Sequence, residues 1–168
     1  MNYLKYFLIF SVLGFIMESV VYKVSGSNSH SGVLLGPYTL VYGIGGLLVI
    51  LINNYLQKIP MNNILKLIVL FICFTLICTF VEYIIGNLIH YIFDIDKWNY
   101  TSHKYHFGKY ICLDLALTWG ILALIIIKIL KPFIDKMLLI IPNNATIIIF
   151  IILIIDLLYN LFTKAFKY

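Results

Sequence analysis

Five apolar stretches follow one another along the chain, and short polar segments separate them. The stretches cover approximately residues 3–22, 38–56, 64–88, 110–130 and 145–162. A transmembrane helix needs about 20 consecutive, mostly apolar residues. The pattern therefore predicts an all-α, polytopic membrane bundle of about five helices. These helices form one transmembrane domain that occupies residues 1–168.

The polar segments carry residue types that begin or end helices. Pro60 comes just before Asn62, and Pro142 just before Asn143. Because Asn caps helix N-termini and Pro stops the preceding element, helices are predicted to begin at both places. Pro132 is likewise predicted to end the fourth span, with residues 133–141 as a short helix in the membrane interface. The longest loop, residues 89–109, is rich in aromatic side chains, which is typical of the headgroup layer.

Composition supports a membrane protein and excludes several other classes. Hydrophobic residues make up 62% of the chain and charged residues 11%, with a mean hydropathy of +1.01. A soluble domain carries about 25% charged residues, so this chain has too few to cover a water-facing surface. The 12 cationic residues are all lysine, and they are scattered along the chain. This distribution indicates lysines at helix ends facing lipid headgroups, and it argues against nucleic acid as a partner. Six lysines fall on each side, which leaves the orientation open.

The first two predicted helices and the next two share a pattern of small and polar residues. Ser11-x-x-Gly14-x-x-x-Glu18 in the first helix matches Thr75-x-x-Cys78-x-x-x-Glu82 in the third, 64 positions later. Tyr42-Gly43 in the second helix matches Trp119-Gly120 in the fourth, 77 positions later. The pattern predicts a duplicated two-helix unit followed by a fifth helix. Both copies would enter from the same side, as in parallel transporter repeats. The alternative is a chance likeness between two apolar helix pairs.

Four acidic residues fall inside predicted spans, where a charge costs about 3 kcal/mol on insertion scales. They are Glu18, Glu82, Asp114 and Asp156. From the helical rise, the first three are predicted to cluster near one membrane face and Asp156 to lie near the midplane. Lys109 and Lys23 are candidate counter-charges. The predicted function is a polar substrate site. The alternative is that neutral or paired carboxyl groups hold the helices together.

Glycines form a second group of interest around the start of the second span. Gly32-x-x-x-Gly36 is followed by Pro37, and Gly43 lies further along the span. Such residues allow close helix packing, which is the favoured interpretation, or they break a helix as in transporter sites. His103 and His106 are three residues apart, and the cysteines form no CxxC pair. Neither pattern predicts a metal site, and the sequence predicts no cofactor and no catalytic residue.

Together these motifs resemble the CmpB-like ABC-transporter type IV family over most of the chain. The matching motifs are Phe10-Ser11-x-x-Gly14-x-x-x-Glu18-Ser19, Gly32-Val33-Leu34-Leu35-Gly36-Pro37-Tyr38, Tyr42-Gly43, Glu82-Tyr83, Trp98-Asn99-Tyr100, Gly108-Lys109, Cys112-Leu113 and Trp119-Gly120. The resemblance implies a small bacterial permease-like protein of the plasma membrane. It singles out Glu18, Gly36, Pro37, Glu82, Trp98, Tyr100 and Trp119. Lys109 departs from the family's usual Arg, which weakens any bidentate role in binding an anion there.

Three functions are compatible with these features. The first is a transport component that forms a homo-oligomer or recruits a separate ATPase subunit. The second is a non-catalytic partner or sensor subunit in the lipid bilayer. The third is a membrane-embedded enzyme that acts on a lipid-borne substrate, although no carboxylate or histidine has a recognisable catalytic spacing.

Overall fold

The computed structural model describes residues 1–26 and 31–163, and in them the chain is almost entirely helical. The elements are α1 (Asn2–Val24), α2 (Leu40–Leu56), α3 (Asn63–Phe93), β1 (His106–Phe107), β2 (Ile111–Cys112), α4 (Leu113–Ile125), a π-helical turn (Ile126–Leu130), α5 (Lys131–Ile140) and α6 (Asn143–Thr163). Two-residue strands β1 and β2 pair as an antiparallel hairpin. The protein is thus an all-α helical membrane protein, as predicted.

Four helical segments of the described chain are long and apolar enough to cross a membrane. They are Asn2–Val24, Asn63–Phe93, Leu113–Ile140 and Asn143–Thr163. The second predicted span is the shorter helix α2, with 17 residues. At a rise of 1.5 Å per residue, α2 is about 25 Å long, slightly less than the hydrocarbon thickness of a typical bilayer.

The prediction that Pro132 ends the fourth span is wrong. The helix that begins at Leu113 continues through Pro132 to Ile140. Residues Ile126–Leu130 form a π-helical turn just before the proline. Proline lacks an N–H donor and its ring collides with the carbonyl four residues earlier, whereas a π turn displaces that carbonyl. The turn therefore carries the helix past Pro132, and α5 continues this helix.

The ends of α3 show how the aromatic loop begins. The Asn62 side chain accepts a hydrogen bond from the Leu65 N–H at 2.7 Å, which confirms the predicted cap. At the other end α3 runs to Phe93, five residues beyond the predicted span. Asp94 ends it in the left-handed region, at φ 58°. The fourth helix starts at Leu113 rather than at residue 110, because the hairpin occupies the preceding residues.

One face of α3 shows why the chain needs a lipid environment. Large apolar side chains at intervals of four residues are exposed along this face: Ile64, Ile68, Ile72, Leu76, Phe80, Ile84 and Leu88. The opposite side of the helix buries Leu70, Phe74 and Glu82. A continuous apolar stripe of this size is unfavourable in water, and it suits contact with acyl chains. Glu82 therefore lies on the protein-facing side of α3, away from the apolar stripe.

Backbone contacts divide the chain into two compact units. The first, called here the α1–α6 unit, comprises Met1–Leu47 and Ile134–Tyr168. The second, called the α3–α4 unit, comprises Leu48–Phe133. Helix α2 contributes its first residues to one unit and its last residues to the other. That the whole chain forms one transmembrane domain stays a prediction.

Each unit contains the same close helix contact, at the positions related by the predicted repeat. In the α1–α6 unit, a Cβ atom on Gly43 would overlap the Ser11 hydroxyl and the Phe7 ring. In the α3–α4 unit, a Cβ atom on Gly120 would overlap the Thr75 hydroxyl and the Phe71 ring. Phe7 and Phe71 are themselves 64 residues apart, like Ser11 and Thr75. This shared geometry supports a duplicated two-helix unit. The symmetry that relates the copies stays a prediction.

Lys5 has a structural role that the lysine pattern did not predict. Its side chain is buried, and the ammonium group donates to the Leu138 carbonyl at 2.9 Å and the Ile141 carbonyl at 2.7 Å. These carbonyls belong to the C-terminal end of α5, where cations are favoured. The neighbouring Tyr6 hydroxyl donates to the Asp135 carboxylate. Lys5 therefore fixes α5 to the start of α1 and does not face lipid headgroups.

Candidate polar sites of the membrane helices

Glu82 is the most enclosed carboxylate among the described residues, with 7% of its surface exposed. It lies on α3, and each of its oxygens accepts one hydrogen bond. The Tyr100 hydroxyl donates to Oε1 at 2.6 Å, and the Trp119 indole N–H donates to Oε2 at 2.9 Å. The structure thus brings together three residues that the sequence had singled out separately. A carboxylate has about four acceptor positions, so two donors leave part of its capacity open.

The same face of α3 carries two hydroxyl groups that lack protein partners. The Oγ1 atoms of Thr75 and Thr79 are buried and make no hydrogen bond to the described residues. They precede Glu82 by about two turns and one turn of helix, respectively. An unsatisfied buried hydroxyl costs about 1–3 kcal/mol, and water or a polar solute commonly satisfies such groups. The Glu82 site, defined here as Glu82, Tyr100, Trp119, Thr75 and Thr79, therefore has unused hydrogen-bonding capacity.

Gly86 explains how the aromatic loop reaches this site. It lies one turn beyond Glu82, and a Cβ atom there would come within 2.9 Å of the Tyr110 ring and 3.3 Å of Trp98. The Trp98 and Tyr110 rings pack edge to face, with centroids 6.4 Å apart. The Trp98 indole N–H is buried without a hydrogen-bond partner in the described chain. A glycine on α3 is therefore what lets the loop aromatics pack close to Glu82.

Glu18, the counterpart of Glu82 in the repeat, binds the segment that precedes α2. Its Oε2 atom accepts a hydrogen bond from the Ser31 hydroxyl at 2.7 Å and one from the Gly32 N–H at 3.1 Å. Gly32 has a φ of 69°, a conformation that side chains other than glycine rarely adopt. Because Gly32 adopts this conformation, its backbone N–H points at the Glu18 carboxylate, which explains why a glycine occupies the position.

Asp156 on α6 binds the other end of the same segment. Its carboxylate accepts hydrogen bonds from the Leu35 N–H at 3.2 Å and the Gly36 N–H at 2.8 Å. Asn160, one turn along α6, donates to Asp156 Oδ1 at 2.7 Å. Glu18 and Asp156 therefore hold residues 31–36, an irregular stretch that carries the predicted Gly32 and Gly36.

Lys109 has a different partner from those predicted. Its ammonium group donates to Asp96 Oδ2 at 2.8 Å, and the Tyr110 hydroxyl donates to Oδ1. The His90 ring lies 3.0 Å from Oδ1. The hydrogen bond from Lys109, followed by that from Tyr110, lowers the pKa of Asp96 below its ordinary value. Burial, followed by the hydrogen bond to Asp96, raises the pKa of Tyr110 to about 12. Sequence reasoning missed Asp96, although three lysines within the same loop were a usable signal.

Asp114 lies in the first turn of α4 and is exposed. The Thr118 hydroxyl donates to the Asp114 backbone carbonyl rather than to its carboxylate. The Asp114 carboxylate instead lies near the His103 ring and the Cys112 thiol, with ligand atoms within 4.8 Å of one another. The sequence contained no spacing that could have predicted this grouping of three residues. His106, three residues after His103, contacts the Gly108 carbonyl through Nδ1 at 3.0 Å.

The predicted polar residues therefore form two described groups. Glu18 and Asp156 belong to the α1–α6 unit, whereas Glu82, Asp114 and Lys109 belong to the α3–α4 unit. A single site shared by Glu18, Glu82 and Asp114 stays a prediction. Gly43 and Gly120 both lie at close helix contacts. Pro37 and Tyr42 follow the segment that Glu18 and Asp156 hold.

Comparison with known families identifies the chain. Residues 5–164 match the family described as Putative ABC-transporter type IV (ABC_trans_CmpB). The protein belongs to this family. No curated protein and no solved structure gave a match. The match covers both units, so this member of the ABC-transporter type IV family is a multi-pass membrane protein throughout.

Proposed function

We propose that the protein is a permease-like transport component of a bacterial plasma membrane, and that the Glu82 site binds its cargo. Family membership supports a transporter component, and the enclosed Glu82 carboxylate supports the location. Among the described residues, no Lys or His forms an ion pair with Glu82. A carboxylate inside membrane helices commonly marks an ion or substrate pathway.

The chemistry of the Glu82 site favours a small cation or a protonated polar solute. Its carboxylate is an acceptor, and the Thr75 and Thr79 hydroxyl oxygens can also accept. Tyr100 and Trp119 donate to Glu82 and so keep its oxygens in a fixed orientation. The aromatic ring of Trp119 also adds a surface that suits a cation. An anionic substrate would be repelled by Glu82 wherever that side chain is ionised.

Trp119 provides a direct assay of this proposal. The chain has two tryptophans, Trp98 and Trp119, so a Trp98→Phe variant reports on Trp119 alone. In lipid nanodiscs, its fluorescence is titrated with sodium, potassium, ammonium and choline chlorides at constant ionic strength. A saturable change with at least one cation is expected, and Glu82→Gln should abolish it. Glu18→Gln is the matched control, and it should preserve the change. A response that persists in Glu82→Gln would exclude the site.

The assembly part of the proposal needs a separate experiment. Family membership supports an ABC-type assembly, so we infer a homo-oligomer that recruits a separate ATPase subunit. Purification in mild detergent from native membranes, followed by mass spectrometry, should recover a stoichiometric ATPase. A self-oligomer without an ATPase would reject the ABC-type assembly, while the cation titration would still test the Glu82 site.

The contacts within the α1–α6 unit favour a second function, that of a non-catalytic partner subunit. There the carboxylates of Glu18 and Asp156 both hold the backbone of residues 31–36. In this case Glu18→Ala and Asp156→Ala would reduce assembly with the partner, and Glu82→Gln would leave assembly and transport intact.

A further inference from the structure

Three side chains of the loop and the start of α4 converge at a point outside the Glu82 site. They are the imidazole of His103, the thiol of Cys112 and the carboxylate of Asp114, with ligand atoms within 4.8 Å of one another. Cys112 is 1% exposed, whereas His103 and Asp114 are exposed. Among the described residues, none of these three ligand groups makes a hydrogen bond to a protein group. The His103 ring packs edge to face against Tyr100, with centroids 5.6 Å apart, but no hydrogen bond of these ligand groups within the described chain accounts for their convergence.

Backbone pairing produces this convergence from distant sequence positions. Strand β2 pairs with β1, with His106 opposite Cys112, and this returns the chain to the turn that contains His103. The Leu113 N–H donates to the Tyr105 carbonyl at 3.0 Å, which holds the turn against the first residue of α4. Cys112 is in extended conformation directly before the helix, so Asp114 follows in the first helical turn. The strand pairing and this hydrogen bond therefore hold the turn next to the start of α4, where the three ligand groups meet.

We propose that His103, Cys112 and Asp114 form a zinc site. Imidazole nitrogen, thiolate sulfur and carboxylate oxygen are the three ligand types that zinc uses in proteins, at about 2.0–2.3 Å. A carboxylate and a thiolate together neutralise the charge of a divalent ion. Calcium and magnesium prefer all-oxygen sites, and the thiol and imidazole therefore select against them. Three protein ligands leave a fourth tetrahedral position for water or a lipid phosphate.

The separation of the ligand atoms is compatible with this assignment. Tetrahedral coordination at these bond lengths requires ligand atoms about 3.3–3.8 Å apart. The ligand atoms lie within 4.8 Å of one another, so the group must contract by at most about 1–1.5 Å. His103 and Asp114 are exposed and can supply this movement by side-chain rotation, while Cys112 stays fixed at the end of β2. The site does not depend on the proposed transport function.

Metal stoichiometry tests the proposal on the full chain. The protein is purified in detergent with a tag free of histidine, incubated with zinc chloride, separated from free zinc by gel filtration and analysed by mass spectrometry for bound metal. We expect about one zinc per chain. His103→Gln and Asp114→Asn should each weaken binding by about tenfold or more. Both residues are exposed, so these variants are expected to fold. Cys78→Ser and His106→Gln are the matched controls, and both should retain zinc.

Cobalt substitution gives a second readout that depends on the sulfur ligand. Cobalt bound to a thiolate has a charge-transfer absorption band, which should appear in the wild-type protein and disappear in Cys112→Ser. Zinc retained by His103→Gln and Asp114→Asn would overturn the proposal. Equal loss of zinc in the two control variants would also overturn it, as would a cobalt complex without the thiolate band.

Discussion

Trp119 on α4 donates its indole N–H to the carboxylate of Glu82 on α3, over 2.9 Å. This bond joins two helices of one unit through two buried or half-buried side chains. Glu82 matches Glu18 in the repeat, and Trp119 matches Tyr42. The donors that Glu82 uses, an indole and a phenol, differ from the hydroxyl and backbone N–H that Glu18 uses. Both copies of the repeat thus contain the carboxylate, but it accepts hydrogen bonds from different groups in each copy.

Removing the indole donor should destabilise the α3–α4 unit. Trp119→Phe leaves Glu82 Oε2 without its described donor, and an unsatisfied buried acceptor costs about 1–3 kcal/mol. Trp98→Phe is the matched control, because the Trp98 indole N–H has no partner in the described chain and its loss removes no hydrogen bond. Unfolding in a denaturing detergent should show a clear loss of stability for Trp119→Phe and a smaller one for Trp98→Phe. Equal losses would contradict a structural role for the hydrogen bond.

The shared glycine contact predicts parallel effects in the two units. Gly43→Ala and Gly120→Ala each insert a methyl group into an occupied space, which costs about 1–3 kcal/mol. Gly45 lies on α2 like Gly43, but nothing lies within 4 Å of the position its Cβ would take. Gly45→Ala should therefore be neutral, or stabilise the helix by about 0.5–1 kcal/mol. Thermal unfolding of the three variants tests whether Gly43→Ala and Gly120→Ala are less stable than Gly45→Ala. Destabilisation by Gly45→Ala equal to that by Gly43→Ala would contradict the packing argument.

Much of the fold was predictable because the membrane restricts the choices. Apolar runs of sufficient length can satisfy their backbone groups only as helices or closed barrels, so the spans followed from the sequence. The repeat was also visible, since Ser11, Gly43, Thr75 and Gly120 occupy positions where only small residues allow contact. The prediction that Pro132 ends a helix was wrong because a π-helical turn lets the helix continue, and residue types alone do not show where such a turn forms.

The candidate sites were only partly predictable. Glu82, Tyr100 and Trp119 were each recognised, but their contact depends on how the aromatic loop folds back on α3. Loop geometry is set by backbone pairing, such as the β1–β2 hairpin, and carries little periodic signal. For the same reason the grouping of Cys112 with His103 was not predicted.

The two carboxylates of the α1–α6 unit should protect different amides of residues 31–36 from hydrogen exchange. Glu18→Ala removes the acceptor of the Gly32 N–H, and Asp156→Ala removes the acceptors of the Leu35 and Gly36 N–H groups. Hydrogen bonds to charged groups contribute about 1.5–3 kcal/mol, so exchange should accelerate by about tenfold or more. Exchange measured by mass spectrometry should show acceleration at Gly32 in the first variant and at residues 35 and 36 in the second. The same acceleration pattern in both variants would contradict separate roles.

Lys5 should matter far more than a surface lysine. Lys5→Met keeps the aliphatic stem but removes the ammonium group from the Leu138 and Ile141 carbonyls, at a cost of about 1–3 kcal/mol. Lys23, at the exposed end of the same helix, is the matched control, and Lys23→Met should change stability by about 0.5 kcal/mol or less. Denaturation of both variants in detergent measures the difference. Equal stability of the two would place Lys5 at the headgroups, as the lysine pattern first predicted.

Acid should release the contacts of Asp96 with the aromatic loop. Lys109 and Tyr110 lower the pKa of Asp96 in the folded protein. A lowered pKa stabilises the fold above the unfolded value, about 3.9, and this stabilisation is lost as the pH falls through the folded pKa. Trp98 fluorescence in the Trp119→Phe background should therefore change on acidification below about pH 4. Asp96→Asn should remove that component, and Lys109→Met should move it to higher pH because the main cause of the shift is gone. An acid transition unchanged in both variants would assign it to another group.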